Sequence, residues 1–236
     1  MASNASFSGP VSVAFFESLA YVTNYINNTV SICSDTAAID GCFASTGNGT
    51  FNGPSFIAFY NSLAYITNNG GNTVSICTDP LTLNNCTQVG GFSSPWGITF
   101  YQGQAYVMNE GSNSVSICSN PDDLTNCTIS DANGTLSAPT TVLIADGHGY
   151  AANSGGVTIC NNTVAFSDCF TSNGNGVFAS QGTPYAVESY EGLIYVALNN
   201  QNVAICSDPA TLQNCTISTG NGTFANVQGI TVSNQY

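Results

Sequence analysis

The sequence predicts an all-β chain built as a five-bladed β-propeller, each blade a four-stranded antiparallel sheet. Three observations predict it. The 10 cysteines form pairs with eight residues between partners: Cys33 and Cys42, Cys77 and Cys86, Cys118 and Cys127, Cys160 and Cys169, Cys206 and Cys215. The first members of the pairs recur at intervals of 44, 41, 42 and 46 residues, a period typical of one supersecondary unit copied and stacked. Each period holds four short runs rich in Val, Ile, Thr, Tyr and Phe, bounded by Gly, Asn, Asp or Pro. Those are strand signals, and no window sustains a helical period. A sandwich has no reason to repeat its sequence five times and solenoid coils usually repeat at shorter intervals, so a propeller fits best.

Each element has its own signal. Pro10, Pro54, Pro95, Pro139 and Pro184 open the units, and an apolar stretch follows each: Val11–Phe16, Phe56–Tyr60, Gly97–Tyr101, Val142–Ala145 and Tyr185–Val187. A short turn such as Glu17-Ser18, Asn61-Ser62, Gln102-Gly103 or Asp146-Gly147 leads to a second strand carrying Tyr21, Tyr65, Tyr106, Tyr150 or Tyr195. The third strand ends at the first cysteine, as in Thr29–Cys33 and Thr73–Cys77, and the second cysteine begins the outermost one. The even count and fixed spacing imply that every unit closes its own disulfide. The bond is then expected to clamp the neck of a hairpin whose loop runs Ser34–Gly41 in the first unit. The Asp79-Pro80, Asp208-Pro209 and Asn120-Pro121 steps in these loops are turn initiators, and each loop holds too few carboxylates for a calcium site. The expected units are 10–53, 54–94, 95–138, 139–183 and 184–227, with 228–236 a partial sixth, all in one domain spanning 1–236.

Composition narrows the function. There are 13 acidic residues, one histidine and no lysine or arginine. Phosphate neutralisation requires cations, so nucleic acid and electrostatic attachment to anionic lipid are excluded as partners. No apolar run is long enough for a membrane span, so direct membrane insertion is not expected. With 43% hydrophobic residues the chain can fill a core, which argues against disorder. Paired cysteines call for an oxidising compartment, hence an extracellular or cell-surface location. Met1–Pro10 has neither the basic start nor the apolar stretch of an export signal. Such a signal is then removed, replaced or outside this numbering.

One segment carries a resemblance. Ala20-Tyr21-Val22-Thr23-Asn24 followed by Asn28-Thr29-Val30-Ser31-Ile32-Cys33 resembles the YVTN class of β-propeller repeats, akin to NHL repeats. Ala64–Asn68 with Asn72–Cys77 repeats it almost verbatim, Ala105–Asn109 with Asn113–Cys118 nearly so, and the last two units are degenerate. The resemblance implies a propeller of the cell surface or of secreted proteins, and no single activity.

The ends extend the repeat. Asn4–Pro10 matches Asn48–Pro54, and Phe224–Ser233 copies the opening of a blade, with Gly229–Val232 aligning on Gly97–Phe100. An unpaired strand is a sticky edge. It closes its own ring, is donated to a neighbouring molecule, or marks a piece cut from a longer array.

Candidate sites are sparse. His148 follows Asp146-Gly147 in an expected solvated turn, and with every cysteine paired a zinc site is not expected; no metal or cofactor is implied. Glycosidase chemistry needs two carboxylates. Only Glu188 lies on an expected first strand, with Glu17, Asp146 and Glu191 in the turns after such strands, so the chain is expected not to be an enzyme; a glycoside-active propeller is the remote alternative. The position after the opening proline varies between blades, and Trp96 and Tyr185 there could stack on sugar rings, a lectin-like alternative. Nine Asn-X-Ser/Thr sequons, at Asn4, Asn27, Asn48, Asn85, Asn126, Asn133, Asn161, Asn214 and Asn221, are acceptors in a glycosylating host. The leading expectation is an extracellular structural or adhesive propeller, partnered by copies of itself or by surface glycans, and assembling into a filament or surface layer.

Overall fold

The computed structural model describes residues 7–222. Five four-stranded antiparallel sheets follow one another, each with its strands in chain order. The first is β1 (Pro10–Phe16), β2 (Leu19–Asn24), β3 (Thr29–Asp35) and β4 (Asp40–Ser45). The second is β5 (Pro54–Tyr60), β6 (Leu63–Asn68), β7 (Thr73–Asp79) and β8 (Asn84–Val89), and the third β9 (Pro95–Tyr101), β10 (Gln104–Asn109), β11 (Ser114–Asn120) and β12 (Thr125–Ser130). The fourth is β13 (Val142–Ala145), β14 (His148–Asn153), β15 (Gly156–Asn162) and β16 (Ser167–Ser172). A short helix, α1 (Val177–Gln181), precedes the fifth: β17 (Pro184–Tyr190), β18 (Leu193–Leu198), β19 (Asn202–Asp208) and β20 (Gln213–Ser218). These are the blades of a five-bladed β-propeller, as the repeat period predicts. The inner-strand copy at Phe224–Ser233 and the sequon at Asn4 lie outside the described residues.

The chain forms two compact units, one running to Val107 and adding Cys118–Cys127, the other comprising Met108–Ile117 and the chain from Thr128. In the first unit the core lies between successive sheets. Tyr21, Val30 and Ile32 of the first sheet close on Ile57, Ala64 and Leu83 of the second. Tyr65 and Ile76 of the second close on Ile98, Val107 and Leu124 in the same way. In the second unit Tyr150, Ile159 and Leu143 meet Val187, Ile194 and Leu212. Aromatic rings mark the contacts: Phe16 stacks on Phe59 at 4.4 Å and Tyr60 on Phe100 at 4.5 Å.

The first two strands of each blade are joined by two residues with positive φ: Glu17 46° and Ser18 66°, Asn61 48° and Ser62 60°, Asp146 52° and Gly147 80°. That is type I′ geometry, whose twist matches the flanking strands. Glu17-Ser18 is an unusual pair for it, so the register of β1 and β2 overrides local preference there.

The disulfides are as expected in pairing but not in position. Cys33 faces Cys42 directly in the β3–β4 ladder, and pairing continues outward to Asp35 opposite Asp40. All five bridges have this form, with Cα atoms 3.9–4.0 Å apart. The bond therefore sits inside the sheet, and the connecting turn is shorter than the Ser34–Gly41 loop expected from sequence. The residues past the cysteines, Ser34-Asp35 against Asp40-Gly41 in the first blade, have low strand preference, so the ladder's register and not local propensity extends the strands there.

Asparagines organise the links. Asn68 is buried; its Oδ1 accepts from the Asn52 N–H (3.0 Å) and its Nδ2 donates to Ser75 Oγ (2.9 Å). Asn24 and Asn153 repeat the pattern through Ser8 and Ser31, and through Ser137 and Thr158. A second asparagine, Asn28, Asn72 or Asn113, takes a left-handed conformation and accepts the N–H of Gly53, Ser94 or Ala138, each at 2.7 Å. Each of those acceptors fastens the residue just before the next blade's proline. Gly53 has φ +60°, and a Cβ there would meet the Gly70 nitrogen at 2.8 Å, so that linker requires glycine.

Candidate functional site

In the second and fifth blades the position after the opening proline is a β-bulge. Pro54 pairs with Asn68 and Phe56 with Thr67, leaving Ser55 as the extra residue; Tyr185 is extra in the same way between Pro184 and Ala186. Bulges re-aim side chains and recur at functional rims. Here they also expose carbonyls to hydroxyls of the preceding blade. Thr140 Oγ1 donates to the Tyr185 carbonyl at 2.7 Å, and Thr67 and Ser55 hydroxyls donate to the Trp96 carbonyl. Trp96, on β9 of the first unit, and Tyr185, on β17 of the second, both have half-buried side chains. Their backbones are thus held firmly while part of each ring remains open to solvent.

Glu188 lies three residues beyond Tyr185, past the bulge and opposite Tyr195 in the ladder. It is half-buried. Burial raises its carboxyl above the ordinary range, partly offset by the N–H of Ser189 donating to Oε1 at 3.1 Å. At the corresponding place the other blades carry Ala14, Ala58, Thr99 and Leu143, so the carboxylate is peculiar to the fifth blade. Among the described residues no cluster of three or more His, Cys, Asp or Glu is placed to hold a metal.

His148 departs from its expected place. It is the first residue of β14 rather than part of the turn, half-buried, with its ring 6.1 Å from that of Tyr150. Its Nδ1 is buried without a partner, because pairing with Ala145 carries the ring toward the sheet instead of into water. The turn-initiating reading of the loop aspartates agrees with the geometry: Asp79 accepts from the Thr82 N–H and hydroxyl, and Asp208 from the Ala210 N–H and the Thr211 hydroxyl.

Eight of the nine sequon asparagines lie within the described residues: Asn27, Asn48, Asn85, Asn126, Asn133, Asn161, Asn214 and Asn221, and all are exposed. Asn48 opens onto a shallow concavity of about 380 Å³, lined also by Phe43, Ser45, Thr46, Thr82 and Asn84. Sequence reasoning did not anticipate this groove, since its walls come from separate blades. The blade-linking role of Asn28, Asn72 and Asn113 was also missed, although their fixed place one residue before the third strand was a visible signal.

No protein-family model and no curated protein matches the chain by sequence. Solved structures do match. A catalytically inactive virginiamycin B lyase from Staphylococcus aureus with quinupristin superposes with TM-score 0.68 at 10% identity, covering 89% of this chain and 69% of its own. A chain of a nidogen–laminin complex gives 0.65 at 14%, covering 84% and 75%. A protein assigned as a 6-phosphogluconolactonase from Bacteroides uniformis gives 0.63 at 13%, covering 92% and 72%. These overturn the expectation that the chain is not an enzyme. That expectation tested only for glycosidase and zinc constellations, whereas similar propellers include a lyase and an assigned lactonase, so paucity of paired carboxylates does not exclude catalysis on this scaffold. At such identities the likeness is one of fold: the chain is a β-propeller, and its place among YVTN or NHL repeats is not established by these matches.

Proposed function

We propose that the chain is a structural and adhesive propeller of the cell exterior, in the YVTN-like class, which associates with other copies of itself. The observation that supports this most is the uniform cross-strand disulfide, placed alike in all five blades. Reinforcement at every outer hairpin serves a scaffold that must persist in an oxidising medium. The exposed sequons add to it: sugars on Asn27, Asn85 or Asn126 would hydrate a surface that has no lysine or arginine. Immunogold electron microscopy of the native source, with thiol labelling of the intact protein, tests the reading. Surface label with no reactive thiols is expected. Free thiols on a cytosolic protein would contradict it.

A second reading is carbohydrate binding through Trp96 and Tyr185. Its support is the partly open rings at positions whose carbonyls are tied by neighbouring hydroxyls. Glycan-array binding that falls about tenfold or more in Trp96→Ala is expected on this reading; an array without signal removes it.

A further inference from the structure

Each blade of the first unit has a forward face and a rear face, and the contact between successive blades has one grammar. The forward face presents the aromatic residue that ends the first strand, Phe16 or Tyr60, beside the buried tyrosine of the second strand, Tyr21 or Tyr65. The rear face of the following blade answers with an aliphatic and an aromatic residue two apart, Ile57 with Phe59 or Ile98 with Phe100. The rings stack at 4.4 and 4.5 Å, with interplanar angles of 9° and 7°.

The first blade carries the same rear-face grammar, with Ala20 and Val22 buried, but among the described residues the two side chains of its first strand have no counterpart stacked on them. Val13 and Phe15 stand where Ile57 and Phe59 stand, and they are 38% and 50% exposed against 2% for Ile57. Behind them Ala20, Cys33 and Cys42 cluster, among the described residues, with Ile39 of their own blade. The forward face of the fifth blade is partly open. Tyr190, the counterpart of Phe16 and Tyr60, is 40% exposed. Tyr195 and Ile205 are half-buried, whereas their counterparts Tyr21 and Ile32 are fully buried.

We propose that copies of this chain associate head to tail, the rear face of the first blade of one copy seating on the forward face of the fifth blade of another. This rests on the self-associating scaffold proposed above and names its interface. The occupant follows from complementarity already used twice within the chain: Phe15 supplies the ring that Phe59 and Phe100 supply, and Tyr190 the ring of Phe16 and Tyr60. The contact is heterologous, using two different patches, so it propagates into rings or filaments rather than stopping at a symmetric dimer. The fifth blade also differs from the earlier ones in ways that make the contact weaker and dissociable. Ala197 replaces the hydroxyl of Thr23 and Thr67, and Glu188 stands where the first two blades have Ala14 and Ala58.

Sedimentation velocity of the full chain across a wide concentration range, with negative-stain imaging, tests this. Mass rising with concentration is expected; a monomer throughout overturns the interface, while surface location in the imaging of native material would still stand. Phe15→Asp and Tyr190→Asp are each expected to weaken association about tenfold or more, with melting temperature and disulfide content confirming an intact fold. Mixing the two variants gives the sharper result. Each retains the patch the other lacks, so a 1:1 dimer that grows no further is expected, and absence of that dimer overturns the head-to-tail geometry. Deleting residues 224–236 should leave association in place; its loss from a folded protein would make that segment the occupant and overturn the proposal.

Discussion

At the scale of single residues the propeller is held by amides where other proteins would use ions. Asn68 satisfies an N–H of the preceding linker and two hydroxyls of the third strand from one buried side chain. Replacing it strands a buried donor and acceptors at once. Asn68→Ala is therefore expected to cost about 2–3 kcal/mol in denaturant unfolding. Glu188 gives a pH signature. Its folded carboxyl titrates above the ordinary value of 4.5 because burial penalises the charge. The protonated form is thus favoured on folding: the associated stability is full below 4.5 and is lost as pH rises through the raised value. Mild acidification from neutrality should raise the melting temperature slightly, and Glu188→Gln should flatten that slope. An unchanged slope in the variant would assign it elsewhere.

At the scale of elements the decisive unit is the outer hairpin. Sequence gave the pairing of the cysteines through their spacing, while the in-register placement depended on how far the ladder runs, which is a property of both strands together. Cys77 opposite Cys86 holds β8, whose residues are mostly exposed and which has little core of its own. Closing a loop of this length is worth roughly 2–3 kcal/mol in the chain-entropy account. Cys77→Ser with Cys86→Ser is expected to lower stability by about that amount and to open the turn beyond Asp79 to proteolysis before the rest of the blade unfolds. Limited proteolysis with mass spectrometry reads the order of cleavage. The first strands were legible because proline and the alternating apolar pattern frame them, and the turn pairs because two-residue hairpins restrict their residues. The bulge at Ser55 and Tyr185 was not legible, since an extra residue in a ladder shows only when both strands are seen.

At the scale of the whole molecule the absence of lysine and arginine shifts the titration of the fold toward its tyrosines. Tyr21 is fully buried, and burial, aided by Glu17 and Asp79, pushes its hydroxyl up to about 12 from 10.0. Tyr65 and Tyr150 are raised further, again first by burial. The unfolded chain ionises these groups from pH 10 while the folded chain resists. Stability is therefore full below 10 and declines as pH climbs through 12. A cooperative alkaline transition is expected, with tyrosinate absorbance and loss of β-structure coinciding; tyrosines ionising freely before unfolding would contradict it.

By itself, the sequence determined the blade, the number of its copies and the partner of every cysteine, because repeat spacing and strand periodicity are one-dimensional properties. It also marked the polar asparagines that recur, without saying what they touch. Only the tertiary structure decided which faces of the blades are covered. That Phe15 stands open while Phe59 is stacked cannot be read from two nearly identical strands. Burial belongs to the neighbour as much as to the residue, and the neighbour is chosen in three dimensions.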